Sequence, residues 1–209
     1  VRPMAKKEAP IDALSHFLPP DTYPLVHAFL HEHKVHLTIT RARESVLGDY
    51  RHATPRENHR ISVNGNLNPY AFLITLLHEL AHLLTFQRHG PRVDAHGREW
   101  KHEFSLLLRQ FLQHQVFPDD IRMALAKSLH NPAATTCAED DLMRVLRRYD
   151  PRKEGMCMVE EVPPGARFQV KGGRTFRRGE QLRKRIRCTE IPSGAVYLFS
   201  PIYEVRLLD

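Results

Sequence analysis

The segment from Asn68 to Gly90 constrains the fold more than any other part of this chain, because it predicts one long helix. Asn68 and the proline after it are typical of a helix start, and Gly90 followed by proline predicts the end. Within it, residues 75–86 read TLLHELAHLLTF, an apolar run suited to burial. The same run holds three ionisable side chains, so the helix needs partners for polar groups that are costly to bury alone.

Those three side chains are His78, Glu79 and His82, which form the pattern HExxH. Residues four apart project from one face of a helix, so both imidazoles can reach one metal ion. In such a site the imidazoles bind Zn²⁺ and the carboxylate deprotonates a metal-bound water that attacks a carbonyl carbon. The pattern is short enough to arise by chance, but its apolar setting favours a metal site. We predict one Zn²⁺ per chain, with Glu79 as the catalytic base.

A catalytic zinc ion usually has three protein ligands, and three further histidines compete for the third position. His89 is seven residues beyond His82, about 10 Å along the helix axis and too far unless the chain turns back. His102 lies on the far side of the next predicted helix from its apolar face, so we expect it to face solvent. His96 lies one turn before Trp100 on the core side, which makes it the favoured ligand.

The rest of the first 150 residues predicts further helices and two strands. Strands are expected at 35–40 and 59–63, where apolar residues alternate or cluster. Capping residues and periodicity predict helices at 11–18, from Asp21 to His33, 98–113, from Pro118 towards His130, and from a capping box at Thr136 and Glu139 to Tyr149. We therefore expect an α+β domain at 1–150, with helices packed on a small antiparallel sheet.

After residue 150 the sequence changes to β-rich runs separated by Pro-Pro-Gly, Gly-Gly and Pro-Ser-Gly turns. It predicts a second domain, a small antiparallel β-module at 155–209. The runs are MCMVEEV, ARFQV, LRKRIRCTEI, AVYLF and IYEVRLL.

Positive charge is concentrated in this module. Between Arg167 and Arg187 there are nine Lys or Arg and one acid, a net +8, while the whole chain carries +7. Alternation along LRKRIRC would place Arg183, Arg185 and Arg187 on one face of a strand. Such a row of arginines is expected to contact nucleic acid phosphates without sequence preference, although a solvated face is the alternative.

The cysteines and the hydropathy of the chain argue against several other classes of protein. Cys137, Cys157 and Cys188 are far apart and form no CxxC pair, so we expect reduced thiols without a disulfide framework or thiolate zinc site. No apolar segment is expected to approach the roughly 18 residues that span a bilayer, and no secretory signal is recognisable. We expect a soluble, cytoplasmic protein.

Three stretches, LGDYRH, LLHELAHLL and DAHGREWKHEF, together resemble the SprT-like family over roughly residues 20–130. The resemblance implies a zincin-type metallopeptidase fold, with His78, His82 and His96 as zinc ligands and Glu79 as catalytic glutamate. It also implies cleavage of proteins bound or crosslinked to DNA. Many members carry a C-terminal zinc ribbon with four cysteines, whereas this module offers only Cys157 and Cys188.

Two other functions stay open. One is a non-catalytic DNA-binding adaptor that keeps zinc for its structure, against which the intact Glu79 argues. The other is a zinc hydrolase with an unrelated substrate, whose basic module contacts another acidic partner. The donor that would stabilise a transition-state oxyanion also stays open among Tyr50, His52 and Tyr70.

Overall fold

A computed structural model describes residues 10–43, 45–129, 140–151 and 153–208. The protein is α+β, and it divides into two compact units, Val1–Asp150 and Pro151–Asp209. Each unit has its own cluster of buried apolar side chains. Thr136, Cys137, Glu139 and the predicted helix end at His130 lie outside the described residues.

The first unit contains helices α1 to α5 and strands β1 to β3. In chain order its elements are a 3₁₀ helix Ile11–Phe17, α1 Tyr23–Glu32, β1 Val35–Thr40, β2 Gly48–Arg51, β3 His59–Asn64, α2 Pro69–His89, a 3₁₀ turn Gly90–Arg92, α3 Arg98–Gln113, α4 Asp119–Ser128 and α5 Asp140–Arg147. The predicted start of α1 needs a correction, because Asp21 has a positive φ of 62° and Thr22 is the residue that precedes the helix.

The sheet of this unit has the order β1-β3-β2. β1 runs parallel to β3 and β2 runs antiparallel to it, so the expectation of a wholly antiparallel sheet was wrong. The reason is that the chain crosses over between β1 and β3 and forms β2 on the way, a four-residue strand whose sequence GDYR does not alternate. β2 therefore lies at the edge of the sheet, and it contacts α2.

α2 is the core helix of the first unit. The side chain of Asn68 accepts a hydrogen bond from the Ala71 N–H at 3.0 Å, as the predicted N-cap should. At the other end Gly90 has φ 74°, a left-handed conformation that suits glycine. By length and composition this helix could cross a membrane, so the expectation that no apolar segment is long enough to do so was wrong. However, 72% of its most apolar 18-residue stretch is buried inside the protein.

α3 packs against α2 through the predicted apolar face. The residues of that face are all buried, and they are Trp100, Phe104, Leu107, Leu108 and Phe111. Arg88 near the end of α2 donates two hydrogen bonds to the buried carboxylate of Glu103, at 2.7 and 2.8 Å. This pair fixes the C-terminal half of α2 against α3, which holds the segment before α3 close to α2.

The second unit is a six-stranded sheet with the order β4-β9-β5-β6-β7-β8, in which all the pairings are antiparallel. Its strands are β4 Met156–Met158, β5 Arg167–Gln169, β6 Thr175–Gln181, β7 Ile186–Ile191, β8 Val196–Phe199 and β9 Glu204–Leu208. β6 was missed because its sequence, TFRRGEQ, is polar and contains a glycine. Cys188 is buried in the apolar core, Cys157 is half-buried, and neither forms a disulfide within the described residues.

The prediction that Arg183, Arg185 and Arg187 form a row along one strand was wrong, because β7 begins too late in the sequence. This strand begins at Ile186, so Arg183 and Arg185 lie in the turn after β6, which closes through a 2.7 Å hydrogen bond from the Leu182 N–H to the Arg185 carbonyl. No Gly, Pro, Asn or Asp marks this turn in the sequence. Of the three arginines, only Arg187 is on a strand.

Candidate metal centre

Three imidazoles converge where α2 faces the segment before α3. His78 and His82 come from consecutive turns of α2, and His96 comes from the connection between α2 and α3. The Nε2 atom of His96 lies 3.1 Å from that of His82 and 3.2 Å from that of His78. His78 is buried and the other two rings are half-buried. The structure thus brings the favoured third histidine to the HExxH pair.

The spacing of these nitrogens fits a metal ion. Zinc binds imidazole nitrogen at about 2.0–2.1 Å, which separates two tetrahedral ligands by roughly 3.3 Å. The observed separations of 3.1 and 3.2 Å are close to that value. His78 Nδ1 is buried without a hydrogen-bond partner among the described residues, and Nε2 is the nitrogen of this ring that faces His96. The group could hold one metal ion.

Trp100 forms the floor under the three rings. Its ring centroid lies 4.6 Å from that of His78, 4.8 Å from that of His96 and 5.4 Å from that of His82. Its indole N–H donates to the His78 carbonyl at 3.4 Å, and the side chain is fully buried. A large rigid ring in this position limits how far each imidazole can turn.

Burial sets the protonation state of the cluster. It is the main cause that lowers the pKa of His78 to about 3 and of His82 to about 4, and it also lowers the pKa of His96. The neighbouring imidazoles lower the first two values further. All three rings are therefore neutral near pH 7, which is the form that binds a metal.

Glu79 is buried beside the histidines, where β2 passes over α2. A methyl group on Gly48 would lie 2.5 Å from Glu79 Oε1 and 2.8 Å from its Cγ, so only glycine leaves room for this carboxylate. Burial raises the pKa of Glu79 to about 8, and the charge of Asp49 raises it further against the opposing effect of Arg43. In the metal-free protein this carboxyl therefore keeps its proton near pH 7, and the charge of a bound metal cation would favour the ionised form that can accept a proton.

Arg43 holds the chain just before Gly48 in place through hydrogen bonds. Its guanidinium donates to the side chains of Asn64 at 2.8 Å and Ser62 at 3.0 Å, both on β3. The amide of Asn64 in turn donates to the carbonyls of Arg43 and Val46, at 3.1 and 3.0 Å. This network ties the β1–β2 connection to the sheet and so fixes where Gly48 meets Glu79.

Of the three candidate oxyanion donors, Tyr50 lies nearest the cluster. Its ring stacks on His82 with centroids 6.4 Å apart, and its hydroxyl is 2.9 Å from His59 Nδ1. His52 instead stacks on Phe86, with centroids 4.8 Å apart. Tyr70 packs on Tyr149 near the start of α2, away from the histidines. Burial raises the pKa of Tyr50, so its hydroxyl stays protonated.

The remaining histidine candidates lie outside the cluster. His89 and His102 are both exposed, and neither belongs to the group of nearby metal-binding atoms. His102 faces away from the buried side of α3, as its position in the sequence predicts.

Gly48, Arg43 and His59 were missed by the sequence reasoning. Gly48 stands within LGDYRH, but nothing in a single sequence indicates that this stretch passes over Glu79. Arg43 and His59 act through contacts with residues distant in sequence, and no local pattern reports such contacts.

In the second unit, arginines collect on the exposed face of the sheet. Arg167 of β5 is directly opposite Arg177 of β6, Arg206 of β9 is opposite Gln169, and Arg187 lies on β7. Each of the four is exposed and has at least one buried residue next to it in its strand, so all four project from the face opposite the core. Arg187 also pairs with Glu180 at 3.2 Å.

Comparisons with protein-family models, curated proteins and solved structures found no match to this chain. Its class is therefore defined by its own geometry. The first unit is an α+β domain with a buried three-histidine group able to hold a metal ion and a buried carboxylate next to it.

Proposed function

We propose that this protein is a zinc-dependent endopeptidase of the SprT-like, zincin type, acting on DNA-bound or DNA-crosslinked proteins. The observation that carries the proposal is the convergence of His78, His82 and His96 beside the buried Glu79. Neutral imidazoles in a three-ligand set suit zinc, and they leave a fourth position for the reaction.

Each residue of the site would have its own role in peptide hydrolysis. His78, His82 and His96 would hold the zinc ion, which when bound supplies a Lewis acid for the reacting carbonyl and water. Glu79 accepts the proton of the attacking water and returns it to the leaving amide nitrogen, because the charge of a bound cation favours its ionised form while burial keeps its proton affinity high. Gly48 leaves the space in which this carboxylate acts.

The position of β2 supports a polypeptide as substrate. β2 is at the edge of its sheet and begins at Gly48, beside Glu79. An edge strand presents backbone donors and acceptors that can pair with an extended peptide. Recognition through the backbone would suit a peptidase that acts within folded or partly unfolded proteins of varied sequence.

Nucleic acid is proposed as the partner of the second unit. Arg167, Arg177, Arg187 and Arg206 share the exposed sheet face. Arginines spread over several strands can contact phosphates along a nucleic acid backbone, which supplies affinity without sequence preference. A peptidase joined to such a surface would work mainly on proteins at DNA.

The test compares zinc content and casein cleavage, with and without DNA, in wild type and in Glu79→Gln. The variant keeps the shape of the side chain but removes the base, so we expect unchanged zinc content and cleavage reduced by at least about 100-fold. Unchanged cleavage would refute the mechanism. Zinc and DNA binding without cleavage by wild type would instead favour the adaptor.

A further inference from the structure

A cavity of about 830 Å³ adjoins the candidate metal centre on the outer side of α3. His96 is one of the residues that line it, so the cavity and the metal group share a residue. Leu129, which follows α4, lines it as well. A bound polypeptide that passes over the three histidines could therefore continue directly into this cavity.

One face of α3 forms the long wall of the cavity. Arg98, His102, Ser105 and Arg109 all line it, and they are spaced as i, i+4, i+7 and i+11. That spacing is one face of a helix, and eleven residues span about 16 Å along its axis. The wall starts beside the metal group and leads away from it.

The cavity is cationic. Arg98, Lys101 and Arg109 contribute three positive charges, and Glu99 is the one acidic residue among the described residues that line it. A cavity with this charge excess favours an anionic ligand.

We propose that this cavity binds an acidic segment of the protein substrate on one side of the scissile bond. The inference rests on the proposed peptidase function of the adjoining site. An extended peptide rises about 3.3 Å per residue, so the 16 Å wall matches about five residues. Acidic side chains within about five residues of the cleaved bond would meet Arg98 first and Arg109 last.

The lining favours a peptide over nucleic acid. Single-stranded nucleic acid is usually held by a basic groove together with aromatic rings on which bases stack. Among the described residues of the cavity wall, none is Phe, Tyr or Trp. Carboxylates need only the cations, and a peptide can enter from the metal group as part of the same chain.

The test measures peptide binding by the full-length Glu79→Gln variant loaded with zinc, which should hold substrates without cleaving them. Fluorescence anisotropy would compare labelled peptides that carry a block of Glu before or after a central neutral segment, with matched peptides carrying Gln or Lys instead. We expect one of the two Glu peptides, and not the other, to bind at least about tenfold more tightly than its Gln counterpart.

Charge reversal then locates the binding. Arg98→Glu and Arg109→Glu, each added to the same background, should weaken the favoured Glu peptide by at least about threefold and leave the Gln peptide unchanged. Arg56→Glu is the matched control, because Arg56 is an exposed arginine of the same unit outside the cavity. Zinc content is measured for every variant, since Arg98 lies close to His96.

Equal binding of Glu, Gln and Lys peptides would overturn the proposal, as would an equal effect of Arg56→Glu. So would a single-stranded oligonucleotide that binds and loses affinity with Arg98→Glu and Arg109→Glu while the peptides show no preference. Failure of the peptidase proposal has a different signature, in which the Glu peptide binds as expected but wild type does not cleave it.

Discussion

At the residue scale, His96 decides whether the site has two or three protein ligands. His96→Ala should lower the apparent zinc affinity by at least about 100-fold, because the loss of a direct ligand should exceed the 10–100-fold cost of losing a supporting partner. Competition with a chromogenic chelator measures this affinity. His89→Ala and His102→Ala are the controls and should bind zinc as wild type does, since both rings are exposed away from the cluster. Loss of zinc in His102→Ala alone would refute the assignment.

Gly48 gives a second residue-scale prediction. Gly48→Ala places a methyl group 2.5 Å from Glu79 Oε1, so the carboxylate must move. A displacement of about 1 Å at a reacting group can cost about 100-fold, and we expect kcat/KM to fall at least about tenfold. Zinc content and the thermal unfolding midpoint should stay close to wild type. Wild-type turnover in this variant would show that Glu79 need not lie under β2.

The raised pKa of Glu79 predicts how stability depends on pH in the metal-free protein. Its ordinary value is 4.5 and its folded value is about 8, so between these pH values the folded chain holds a proton that the unfolded chain has released. The stabilisation is complete below pH 4.5 and is lost as the pH rises through 8.

Glu79→Gln removes this titration. With EDTA present, the free energy of unfolding of wild type relative to Glu79→Gln should therefore fall as the pH rises from 4.5 to 8. Denaturant unfolding of both proteins across this range measures the difference. A difference that is constant with pH would mean that the carboxyl is not buried as described.

At the scale of elements, long periodic helices were predictable and short strands were not. α2 has cap residues at both ends and α3 has an apolar face in its own sequence, and the observed bounds of both helices match the predicted ones. β2 and β6 have no such local signal, since neighbouring strands rather than their own residues define them. The same difference applies to the site, where helical spacing indicates His78 and His82 but not the approach of Gly48.

The sheet face of the second unit predicts a specific salt dependence of DNA binding. Each lost phosphate contact should flatten the plot of log affinity against log salt by about 0.7–0.9 units, so changing Arg167, Arg177 and Arg206 to Ala should cost about two to three units. The matched control changes Arg183, Lys184 and Arg185, which lie in the turn between β6 and β7, and should lose less. Equal losses would indicate a general charge effect without a binding face.

At the scale of the whole molecule, the two units should respond differently to removal of the metal. The proposed ligands all belong to the first unit, and each unit has its own apolar core. A ligand that binds only the folded state raises its stability. EDTA should therefore lower the unfolding temperature of the first unit, followed by the fluorescence of Trp100, the single tryptophan of the chain. The unfolding temperature of the second unit, followed through Tyr197 and Tyr203, should be the same with and without EDTA.

β8 has a consequence for the protein in concentrated solution. It ends the six-stranded sheet, and its residues Val196, Tyr197 and Leu198 are 52, 39 and 58% exposed. An apolar edge with unpaired backbone groups is a template for further strands, and so a starting point for aggregation. Aggregates of this protein should therefore grow from the second unit, and a lysine in place of Leu198 should raise the concentration at which they appear.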